Sequence, residues 1–150
     1  MALSFSTGCK DGLLDEEDFK TMFTDGLIRV YSGTVPADAD ADLTGATLLV
    51  TYTDNDQAVG AGNGLDFGDA ASGAIAKDAA QTWSGTSVAG PATATFWRLI
   101  QQADTGASST TEKRIQGTVG GAGADLFVQS TTFQNATLYT IDYFSVSIPL

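Results

Sequence analysis

The sequence predicts an all-β protein, a jelly-roll-like β-sandwich of about eight strands with one short N-terminal helix. Three observations predict it. Small residues dominate: 21 Ala, 20 Thr, 17 Gly and 11 Ser make up 69 of the 150 positions. Thr favours extended backbone, and Gly supplies turns where φ is positive. Short β-favouring runs recur between Gly- and Asp-rich stretches, and helical periodicity is confined to residues 13–25. The length suits a single domain, 1–150, large enough to bury a core without disulfides.

The elements follow in order. Residues 1–12 read as a polar arm bearing Leu3 and Phe5, suited to a short strand or to lying on a neighbour; the alternative is that the arm folds back on its own domain. In the helix at residues 13–25, Asp15, Glu16, Glu17 and Asp18 favour the positive end of the helix dipole. Leu14, Phe19, Met22 and Phe23 share one face, and Gly26 supplies a stop. So short a helix needs a surface to lie on, a sheet edge or another subunit. Strands are expected at 27–31, 47–53, 93–100, 113–119 and 126–128, with short pieces at Leu65, Phe67 and 82–88. Gly117 falls mid-strand and suggests a bulge. The longest run, 138–148, changes phase: Tyr139, Ile141 and Tyr143 share one face, but Phe144, Val146 and Ile148 share the other. A bulge near Tyr143 or burial on both faces would account for that.

Composition narrows the chemistry. Seven Lys and Arg against 18 Asp and Glu give a formal net charge of −11. No nucleic-acid partner and no anionic membrane surface is expected, because both need clustered cations. No apolar run is long enough for a membrane helix, and the first residues lack the pattern of a secretory signal. The chain has no histidine and a single cysteine, Cys9. That rules out His-based catalysis, His/Cys zinc sites and an intrachain disulfide, and leaves Cys9 without a His to activate it.

The remaining motifs are weak. Asp104-Thr105-Gly106 matches the D-T-G of aspartic proteases, whose chemistry needs two carboxylates sharing a proton. Polar residues 101–103 precede it where those enzymes place an apolar strand, so a polar turn is expected, and Asp104→Asn should leave assembly unchanged. Asp38, Asp40 and Asp42 alternate as in a Ca²⁺ loop, but the sixth and twelfth loop positions are Leu43 and Leu49 where an EF-hand needs Gly and Glu. A solvated acidic loop fits better. The Gly-rich stretches lack the Lys-Ser/Thr of a phosphate loop. Trp83 and Trp97 are candidates for stacking on sugar rings, though tryptophan is more often found in cores and interfaces. No enzymatic activity, cofactor or metal requirement is expected.

Several stretches carry a resemblance: LSFSTGCKDGLL, FKTMFTDGLIRVYSGTVPADADA, NGLDFGDAASGAIAKDAAQTWSG and DTGASSTTEKRIQGTVGGAGADLF. Through them the chain resembles, nearly end to end, small virion structural proteins of tailed bacteriophages, of the capsid decoration (cement) type. The resemblance implies a jelly roll, a place on the outer capsid surface after synthesis in the host cytoplasm, the major capsid protein as partner, and self-association as a homotrimer. The contact candidates that go with it are Leu3, Phe5, Leu14, Phe19 and Phe23. The alternative is a tail, collar or fibre component that binds a host glycan.

Overall fold

The computed structural model describes residues 3–147. The fold is all-β, with 39% of the chain in strands and 10% helical. The strands are β1 (Ser4–Phe5), β2 (Leu27–Gly33), β3 (Ala46–Asp54), β4 (Ala74–Ala76), β5 (Trp83–Thr86), β6 (Ala92–Ile100), β7 (Arg114–Gly120), β8 (Leu126–Phe127), β9 (Thr132–Phe133), β10 (Leu138–Ile141) and β11 (Ser145–Ser147). One sheet runs in the order β1-β7-β6-β2-β3-β5-β10, with β8 added to β7 and β9 to β6. β4 and β11 form a separate ribbon. Among the described residues, only β7 and β8 pair in parallel.

The central strands are buried on both faces, so their sequences read as near-continuous apolar runs rather than alternating ones. On the inner face, Ile28, Val30, Trp97, Leu99 and Ile115 join the main core. A bulge enlarges that face: Val30 pairs with Val50 but Tyr31 with Leu48. Leu49 is the extra residue, and it enters the core together with Val50. At the centre of the core, Phe67 packs edge-on against Phe19 at 5.1 Å and Trp83 at 5.3 Å, and Phe144 meets Trp97 at 5.4 Å. These edge-to-face contacts suit the ring quadrupoles.

The expected helix at 13–25 is two helices joined by a wide turn. α1 (Thr7–Asp11) starts earlier, capped by Ser6, whose Oγ accepts from Cys9 N at 3.1 Å. It widens into a π-helical turn over Gly12–Glu16, and Glu17 is extended. α2 (Phe19–Met22) then restarts with Asp18 as its N-cap, accepting from Thr21 N at 2.9 Å. Asp competes for backbone N–H groups inside a helix and so favours a cap, which places the break where four acidic residues adjoin. The expected arm at 1–12 also differs. Phe5 pairs with Ile115 across β1 and β7, and α1 buries Cys9, so this segment folds back on its own domain.

Two further expectations are resolved by register. Gly117 makes no bulge, because β6 and β7 pair without a shift from Phe96↔Thr118 to Ile100↔Arg114. It lacks a side chain because Trp97 lies across it: an added Cβ would sit 2.8 Å from Trp97 Nε1. The run expected from 138 breaks at 142–144. β10 then pairs with β5 and β11 with β4, so Ile141 and Phe144 both turn inward despite the change of phase. Ile148 lies outside the described residues.

Candidate functional site

The outer face of β2, β6 and β7 holds a buried polar network that the strand pattern does not announce. Arg98, Arg114 and Gln116 replace apolar residues at alternate positions, and all three are buried. Loops 34–45 and 101–113 cover them. Arg98 Nε donates to Gln116 Oε1 at 2.8 Å, and its Nη2 donates to the carbonyls of Asp38 and Ala41 at 3.1 and 2.9 Å. Gln116 Nε2 donates to Pro36 O at 3.0 Å. Arg114 binds Asp104 through two nitrogens and donates to Ala107 O at 2.7 Å. Burial first, and the neighbouring Arg114 second, pull Arg98 below its ordinary value. Beside the network Tyr31 stacks on Phe96 at 4.9 Å. A charge inside an apolar strand, as in TATFWRLI, is the sequence signal for such a network.

This arrangement accounts for two motifs. Asp104 of the D-T-G turn is buried, and both carboxylate oxygens accept from Arg114. It is a structural acceptor, so Asp104→Asn is expected to act on stability. The 38–42 loop points its carbonyls at the arginines and folds its carboxylates back on N–H groups. Asp38 Oδ1 accepts from Asp40 N and Ala41 N at 3.0 and 2.9 Å, and Asp42 Oδ1 from Thr44 N at 2.9 Å. Asp40 ties the loop to α1 by accepting from Thr7 N at 2.8 Å and Thr7 Oγ1 at 2.6 Å. These hydrogen bonds engage one oxygen each of Asp38 and Asp42 and both oxygens of Asp40.

Trp83 and Trp97 are 0% and 1% exposed, so neither offers a face for a sugar ring. Trp83 Nε1 donates to Gln81 Oε1 at 2.9 Å. Cys9 is on the buried side of α1, and burial pushes its thiol up to about 12. The five contact candidates separate. Phe23 is wholly buried, and Phe5 and Phe19 pack against the same core. Leu14, at 84% exposure, stands free beside Leu13, and Leu3 is at the margin with 37%.

The surface is more one-sidedly acidic than the formal charge suggests. Arg98 and Arg114 are internal, Lys20 pairs with Asp69 at 2.7 Å, and Lys113 pairs with Glu16 at 2.9 Å and with Glu17. Lys77 donates to the carbonyls of Asp78 and Gln81. Arg29 is half-buried on β2, and Lys10 is the exposed cation left over among the described residues.

A groove of about 700 Å³ opens between β8 and β10. These strands lie towards opposite ends of the sheet order, so the sheet curls until its ends face each other without pairing. Phe127, Leu138 and Tyr143 line the groove and are all exposed. Asp125 and Asp142 are its charged residues, and no Lys or Arg lines it. Sequence reasoning missed this site, although all of its lining but Tyr52 lies within 124–145, because it exists only once β8 pairs with β7 and β10 with β5. Among known proteins, the chain matches no family model, no curated sequence and no solved structure.

Proposed function

We propose that this protein is a structural subunit of a tailed-bacteriophage particle, a decoration protein that binds the outer face of the assembled shell and stabilises it. Its partners are the major capsid protein and further copies of itself, with a trimer following from the family resemblance. The observation that carries the reading is the division of polar residues. The buried ones brace the fold, and the surface ones are overwhelmingly acidic, with most cations internal or paired. Such a domain is suited to docking on another surface, and many modest interfaces repeated over a shell add up to durable attachment.

Of the contact candidates, Leu14 is the one free to meet a partner fully, with Leu13 and Leu3 beside it in exposure. Burying a leucine contributes about 1.5–3 kcal/mol. The experiment is co-sedimentation of the purified protein, wild type or Leu14→Ser, with undecorated shells of the phage. Wild type binds, and the variant, unchanged in stability to within about 0.5 kcal/mol, binds about tenfold more weakly. Failure of wild type to bind shells overturns the function, whereas equal binding by the variant removes Leu14 from the contact. Deleting residues 2–8 is no substitute, because Ser6 Oγ donates to Glu112 O and accepts from Arg114 N inside the domain.

A further inference from the structure

We propose that the open edge of β10 takes up an extended, cationic segment of a partner protein as an added strand, with the segment's apolar side chains seated in the groove between β8 and β10. This inference stands apart from the virion reading, which concerns shells and Leu14.

The hydrogen-bond register shows the edge. Leu138 pairs with Thr86, and Tyr139 with Gly85. The N–H of Thr86 is taken by Asp56 Oδ1 at 2.7 Å, so Leu138 and Thr86 form the non-hydrogen-bonded kind of pair. Antiparallel pairs alternate, so Tyr139 and Ile141 carry the ladder bonds, and the N–H and C=O of Leu138 and Thr140 point away from β5. Ser87 N donates to Thr137 O at 2.9 Å, in step with that alternation. Leu138 and Thr140 are both exposed on the groove side. The strand LYTI contains none of the devices, Pro, Lys or an inward charge, that protect a free edge from pairing.

The lining selects the occupant. Exposed Phe127, Leu138 and Tyr143 offer seats for alternate apolar side chains of an extended segment, while main-chain bonds to β10 supply the rest of the affinity. Asp125 and Asp142, with no cation in the lining, favour Lys or Arg on the incoming strand. A second copy of this chain, itself at −11, is disfavoured by the same charge.

The test is an NMR titration of the full, isotope-labelled chain with short end-blocked peptides. One set alternates Lys with Val, Leu or Tyr, a second carries Glu in place of Lys, and a third is the Lys set with alternate backbone nitrogens methylated. The Lys peptides should shift the amide signals of Phe127–Gln129 and Leu138–Tyr143. The Glu set should not, and methylation should weaken binding by about tenfold or more. Thr140→Pro removes an outward N–H and no ladder bond, and should weaken binding similarly. Asp142→Asn and Tyr143→Ser, both at exposed positions, provide the same comparison should the proline variant not fold. The proposal is overturned if the Lys peptides leave β10 unperturbed, if they bind no better than the Glu or methylated sets, or if they gather instead on the 38–42 loop.

Discussion

Arg114 and Asp104 form the one fully buried ion pair among the described residues, with Nε 2.6 Å from Oδ2 and Nη2 2.7 Å from Oδ1. The two side chains are 0% and 1% exposed. The pair joins the start of β7 to the turn after β6, and the same guanidinium also reaches Ala39 O at 3.3 Å and Ala107 O. One arginine therefore fixes both loops that cover the outer face of the sheet.

Removing the charge on one side leaves the other uncompensated. Asp104→Asn should lower stability by about 3–5 kcal/mol, the usual cost of breaking a buried pair. Urea denaturation measures it, and a loss below about 1 kcal/mol would contradict the assigned role. Any loss of function in this variant should be matched by the fraction unfolded.

Gly117→Ala tests the packing of Trp97. The new Cβ would meet Trp97 Nε1 and Asp125 Cβ, each at 2.8 Å. Overpacking of this kind costs about 1–3 kcal/mol. Loss of Trp97 packing should also change near-ultraviolet circular dichroism. A variant as stable as wild type would show that the indole has room to shift.

The buried thiol sets an alkaline limit. Burial raises Cys9 from its ordinary 9.0 to about 12, against weaker opposing pulls from Lys113 and Lys10. Between those values the unfolded chain releases the thiol proton while the folded chain keeps it. Stability is thus fully present below pH 9 and falls as pH rises towards 12. Comparing wild type with Cys9→Ala isolates the effect, because other groups titrate in the same window. Wild type should lose about 1–2 kcal/mol more than the variant between about pH 8 and pH 10.5. Equal losses in the two proteins would refute the assignment.

Sequence alone determined the fold class and the principal strands, because local composition records both. TLLVTYT and TATFWRLI can hardly be anything but strands, and β3 and β6 cover them. Gly- and Asp-rich stretches likewise mark turns through local backbone preference. The helix was legible as a period of apolar residues but not as two pieces, because its break depends on Asp18 acting as a cap and on which residues reach the core. Leu14 and Phe23 are both apolar residues of the expected helix, yet the break at Glu17 leaves one in solvent and the other wholly buried.

Tertiary structure alone decided the roles of the polar residues and the location of the groove. Asp104 reads as a catalytic motif or a turn until Arg114 is found beside it. The alternating aspartates read as a cation loop until their oxygens are traced to backbone N–H groups and Thr7. The groove arises because β8 and β10, separated along the chain, are brought face to face by the curl of one sheet. The physical reason is common to all three. Strand propensity is a property of neighbours in sequence, whereas the partner of a buried charge or the open edge of a sheet is fixed by how strands pair and how loops fold over them.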